Sequence, residues 1–110
     1  PVVLMTFPWY LPSNYSAEKL ADGELDYEKG AYRMHAESWG RPENINRTMT
    51  THNEVIHELA AEPEFASTVR FVDQVELLSA SGTHFSDPCH FTPAGIERFA
   101  KNLAENVERP

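Results

Sequence analysis

Two short apolar runs, VVLMTF at Val2 to Phe7 and TVRFVD at Thr68 to Asp73, flank a segment patterned as a helix, and nothing else restricts the fold as tightly. The first run is apolar and β-branched without polar alternation, which suits a strand covered on both faces in a parallel sheet. Pro8 closes it, because proline has no N–H to continue a ladder. The second run carries Val69, Phe71 and Val72. Between them, Thr51-His52-Asn53-Glu54 has the form of a capping box, in which the Thr hydroxyl and the Glu carboxylate satisfy opposing backbone amides. Val55, Ile56, Leu59 and Ala60 then recur at helical spacing, and Pro63 ends the run. Strand, helix and strand in that order predict a parallel pair joined by a right-handed crossover.

The other segments fit around that unit. Pro8 to Ser16 (PWYLPSNYS) holds Pro8 and Pro12 and reads as an aromatic loop at the carboxyl end of the first strand. Residues 17–45 mix helix formers with Gly23, Gly30 and Gly40, and predict one or two short helices packed through Leu20, Leu25, Tyr32, Met34 and Trp39. QVELL predicts a short helical turn, and SASGTHFS a polar loop. Thr92-Pro93 has the form of an N-cap with proline at the first helical position. Ile96, Phe99, Ala100, Leu103 and Val107 follow as the apolar stripe of a closing helix, with Glu97 and Lys101 as an exposed pair one turn apart. The predicted class is α/β, with two or so parallel strands, a crossover and C-terminal helices. Two strands make a small sheet. The chain also opens on Pro1 and enters a strand at once, so residues 1–110 read as a single incomplete domain that begins mid-protein.

Composition narrows the partners. Seventeen acidic against nine basic residues give a net charge of −8, without any Lys/Arg cluster, which disfavours nucleic acid and anionic membrane surfaces. No apolar run approaches the roughly 18 residues that span a bilayer, and the start lacks the charged region of a signal peptide. The single cysteine, Cys89, allows no internal disulfide and points to a reducing, cytoplasmic-type compartment.

Chemistry concentrates in DPCHFTPAG, Asp87 to Gly95. In an Asp-Pro-x-His turn, Pro88 sets φ at the second position, and a type I turn brings residues 87 and 90 within about 7 Å. A carboxylate accepting from imidazole Nδ1 selects the tautomer whose Nε2 is free to take a proton, as a general base acting on a hydroxyl requires. The plainer possibility is that Asp87 caps the turn and His90 packs at a helix start. His84, Asp87, Cys89 and His90 supply four metal-capable groups within seven residues, but without a distant partner pair no metal site is predicted. Cys89 is read as a bystander thiol, because adjacent residues of an extended segment point to opposite sides. Trp9 and Tyr10 are candidate substrate-binding residues at the carboxyl end of the sheet, where open α/β sheets bind ligands. Ser81 and Ser86 read as loop polar groups, and His35, His52 and His57 as surface or satisfied histidines.

The run FVDQVELLSASGTHFSDPCHFTPAGIERFAKNLAENV, residues 71–107, resembles the C-terminal portion of the SGNH hydrolases, the GDSL-type esterases and lipases. There an Asp-x-x-His pair on a loop precedes a Thr-Pro-x-Gly helix start and an amphipathic closing helix. Upstream, THNEVIHELAAEPEFASTVRFVD is similar to that family's helix-then-strand unit, and VVLMTFPWYLP to its preceding strand and pocket-lining loop. The resemblance implies a flavodoxin-like three-layer α/β/α fold and a serine acylhydrolase acting on a small ester or acylated carbohydrate, without a cofactor. His90 would be the base and Asp87 its orienting acid. The family's Gly-Asp-Ser and Gly-x-Asn-Asp blocks do not occur, so the chain corresponds to the last part of such a domain. Lacking nucleophile and oxyanion donors, it is expected to be inactive alone. A rival from another class is a truncated, non-catalytic α/β module that self-associates through unpaired strand edges. Either way, a homo-oligomer or association with the missing N-terminal part is expected.

Overall fold

The computed structural model describes residues 2–30 and 32–108; Pro1, on which the mid-protein start rests, lies outside them. The fold is mixed α/β. Strand β1 (Val2–Met5) pairs in parallel with β2 (Val69–Val72), in register from Val2 against Val69 to Met5 against Val72. Helix α1 (Ala17–Asp22) and the long α2 (Pro42–Ala61) lie between them, and α3 (Gln74–Leu77) and α4 (Pro93–Val107) follow. No helix among the described residues is long and apolar enough to cross a membrane.

Helix α2 begins nine residues before the predicted cap. It starts on Pro42, whose missing N–H is no loss in a first turn, so Thr51 to Glu54 lie in the helix interior. Asn53 is buried, its Oδ1 accepting from the Phe7 amide at 2.7 Å and its Nδ2 donating to the Phe7 carbonyl at 2.9 Å. That bidentate pair clamps α2 to the backbone just beyond β1. The helix turns Ile45 and Asn53 inward, while Val55 and Leu59, expected on the buried face, are exposed.

A similar correction applies to α4. Thr92 caps it as predicted, accepting from the Gly95 amide at 3.1 Å. Its buried residues, however, are Gly95 and Asn102, with Phe99 and Leu103 partly buried, while Ile96 is 58% exposed and Ala100 is exposed. A polar join rotates the stripe: Asn102 Nδ2 donates to Gln74 Oε1 at 3.1 Å, and Gln74 Nε2 donates to the Phe99 carbonyl at 3.2 Å. Two buried amides that satisfy each other dictate which face meets α3. Lys101 lies 3.9 Å from Glu105 and makes no ion pair with Glu97.

The main core sits beside the sheet. Leu20, Leu25, Tyr27, Leu78 and Phe85 are buried together, with Tyr10, Tyr15, Phe91 and Phe99 against them. Leu20 and Leu25 thus pack as expected, whereas Tyr32, Met34 and Trp39 are exposed. Among the described residues between 17 and 41, only α1 and a single 3-10 turn at Ala36–Ser38 form. The radius of gyration is 15.3 Å, against about 13 Å for a compact domain of this length, so the elements are loosely enclosed.

Candidate active site

The loop carrying Asp87 is fastened at several points before its chemistry begins. An isolated antiparallel bridge joins Phe85 to Phe91, and the Ser86 amide donates to the His90 carbonyl at 3.0 Å. Thr92 then donates through its amide to the His84 carbonyl at 3.0 Å and through its hydroxyl to the Thr83 carbonyl at 2.6 Å. Gly95 is where α4 meets this loop: a Cβ there would overlap the His84 carbonyl oxygen, which only glycine avoids. The first turn of α4 and the Asp87 loop are therefore one welded unit.

Within it the carboxylate of Asp87 is fully buried and accepts four hydrogen bonds. Oδ1 accepts from the amides of Cys89 at 2.9 Å and His90 at 2.7 Å, so the side chain closes the turn. Oδ2 accepts from the Met34 amide at 2.6 Å and from His90 Nδ1 at 2.8 Å. Burial pushes the carboxyl upward. The Met34, Cys89 and His90 amides and the imidazole together outweigh it, and the net shift is below the ordinary carboxylate value. The group is an anion at neutral pH.

His90 is thereby held by its Nδ1 edge. Its side chain is one-third exposed, Nε2 has no protein partner among the described residues, and the Tyr32 ring stacks on the imidazole at 4.8 Å and 29°. The geometry is that of an oriented base with its working nitrogen free. Met34 and Tyr32 were not legible as site residues: one contributes a backbone amide, the other a ring from a segment without periodic pattern.

Cys89 departs from expectation. The segment is a turn, not an extended strand, so Cys89 and His90 share a side and Sγ lies 3.2 Å from His90 Nδ1. Burial, followed by the Asp87 charge, pushes the thiol up to about 12, so it is protonated and a weak nucleophile at neutral pH. Ser86 is buried with its hydroxyl donating to the Tyr32 carbonyl at 3.0 Å, a structural role. His84 turns away, Nδ1 lying 2.9 Å from the Ser79 carbonyl oxygen. Of the four metal-capable residues, three stay together: donor atoms of Asp87, Cys89 and His90 all lie within 4.8 Å of one another.

Trp9 and Tyr10 do not converge on this pair. Trp9 donates through Nε1 to Asn46 Oδ1 at 2.8 Å and lines a cavity of about 240 Å³ with Asn53, Glu54, His57 and Asp73. His57 is satisfied there, with Nε2 3.0 Å from Asp73 Oδ2. The Tyr10 ring packs on Tyr27 and Phe85, and its hydroxyl, donating to Asp26 at 2.7 Å, is pushed up to about 12 by burial and by Asp26. Tyr10 thus braces the loop from behind, through its ring on Phe85 and through its amide, which donates to the Pro88 carbonyl at 3.1 Å. The cavity beside the dyad, of about 280 Å³, is lined by Met5, Phe7, Cys89, Phe91 and Phe99 among others. Comparisons of the chain with family models, curated proteins and solved structures return no match.

Proposed function

We propose that the chain is the C-terminal portion of an SGNH-type serine acylhydrolase and supplies the acid and base of a Ser-His-Asp triad. The observation that carries this is the 2.8 Å contact between buried Asp87 Oδ2 and His90 Nδ1, with Nε2 left open at the surface. A flavodoxin-like three-layer arrangement is part of the same proposal. It is supported by α2 and α4 both packing on the strands, the Phe71 ring of β2 meeting His57 of α2 at 5.0 Å.

The serine and the oxyanion donors come from outside this chain. As the serine oxygen attacks the ester carbonyl, Nε2 takes its proton while Asp87 stays ionised and steadies the imidazolium. The same proton then passes to the departing alkoxide, leaving an acyl-enzyme. A water molecule, deprotonated by Nε2, releases the acid and returns the proton to the serine. The substrate is a small ester or an acylated carbohydrate. In the protein encoded by the complete reading frame, His90→Ala is expected to lower turnover of a short-chain nitrophenyl ester by on the order of 10³-fold or more. Retained turnover would exclude the triad.

A second reading, self-association of a non-catalytic module, is favoured by the outer edge of β1. Val2 and Thr6 donate their amides toward β2, so the backbone groups of Val3 and Met5 face the other way and have no partner among the described residues. The strand carries no charge to protect that edge, and Val55 and Leu59 lie exposed on α2. Light scattering of this chain at high concentration is then expected to give a dimer or larger species, strengthened by salt that screens the −8 charge of each copy. A monomer mass throughout sinks that reading.

A further inference from the structure

We infer that Asp87, Cys89 and His90 form a binding site for a soft divalent cation of the zinc or cadmium type, in which the ion replaces the proton shared between His90 and Asp87. Cys89 Sγ and His90 Nδ1 are 3.2 Å apart, and His90 Nδ1 and Asp87 Oδ2 are 2.8 Å apart. Ordinary zinc bond lengths at tetrahedral angles place sulfur and nitrogen about 3.6 Å apart, and nitrogen and oxygen about 3.4 Å apart. The imidazole edge therefore has to open by only about half an ångström to admit an ion. Cys89, partly exposed, swings in by rotation about Cα–Cβ to complete the trio, whose donors already lie within 4.8 Å.

The donor set favours such an ion. Thiolate and imidazole select zinc-like metals over calcium or magnesium, and a water molecule would fill the fourth position. The turn also holds its ligands in place beforehand: Asp87 keeps its bonds from the Met34, Cys89 and His90 amides while exchanging only the imidazole N–H for the metal. The balance is simple. The thiol releases one proton to solvent, the ring proton moves from Nδ1 to Nε2, and the ion gains Sγ, Nδ1 and Oδ2. Occupancy thus abolishes the tautomer that leaves Nε2 unprotonated. The site does not depend on the hydrolase reading, because binding involves only groups of this chain.

The test is titration of the reduced chain with Cd²⁺, following the ultraviolet thiolate-to-cadmium absorbance. Cys89 is the single cysteine, so the signal reports this site alone. One ion per chain is expected, with the band absent in Cys89→Ser and the Kd weakened tenfold or more in His90→Ala. In nitrogen NMR of the intact chain, the His90 ring proton is expected to move from Nδ1 to Nε2 as Cd²⁺ binds. Absence of the band at excess Cd²⁺ overturns the inference. So does an unchanged Kd in His90→Ala together with an unmoved ring proton, which would leave only an isolated thiol.

Discussion

Under the proposed triad, Asp87→Asn is expected to cut ester turnover by on the order of 10⁴-fold while destabilising the fold by about 3 kcal/mol. Both effects follow from the four donors around the carboxylate. With the amide oxygen at the Oδ1 position, the Cys89 and His90 amides keep their acceptor. The new NH₂ then faces the Met34 N–H, and forces His90 to accept at Nδ1 and carry its proton on Nε2. That is the wrong tautomer for a base. The flipped amide would restore Nδ1–H donation but set its NH₂ against two backbone N–H groups, which is worse.

The acid limb of stability provides a second readout of the same substitution. The folded carboxyl of Asp87 titrates below its ordinary value. Its contribution is therefore fully present above the unfolded value of about 4, and is lost as pH falls toward the folded one. Urea midpoints of wild type and Asp87→Asn should differ most at neutral pH and converge as pH drops below about 4. A gap that persists or widens in acid would mean that the carboxylate is not held as described.

Gly95→Ala is expected to destabilise the chain by about 3 kcal/mol, because the added methyl meets a backbone carbonyl that cannot rotate away. The sign is the informative part. In an ordinary helix the same change would stabilise by about 1 kcal/mol. Gly23→Ala serves as the contrast: its φ is 69° with nothing within 4 Å of a Cβ, so only left-handed strain of about 1 kcal/mol opposes it. A Gly95→Ala protein with a urea midpoint at or above wild type would show that α4 does not approach His84 closely. If the midpoint falls as expected, the Asp87 loop should loosen with it, since Thr92 ties both to the same carbonyls.

Local patterns carried much of this. The two apolar runs specified a parallel pair, since Val2 to Met5 and Val69 to Val72 hold few polar groups and are linked by a long helical segment. Thr92-Pro93 specified the start of α4, because a cap needs only its own hydroxyl and the next turn. Asp87 and His90 were legible for the same reason: residues three apart in a proline turn meet through short-range geometry. The start of α2 was not legible, since Thr51 and Glu54 look alike in a cap and in a helix interior until Asn53 is known to clamp Phe7.

The sequence by itself determined the elements whose energetics close within a few residues: the two strands, the Thr92 cap and the turn that joins Asp87 to His90. Tertiary structure alone decided which helix faces are buried, that Met34 and Tyr32 complete the dyad, and that Trp9 and Tyr10 stand apart from it. Those outcomes depend on contacts between residues tens of positions apart. Pairs such as Gln74 with Asn102 outweigh apolar periodicity because a buried polar group without a partner costs more than an exposed isoleucine.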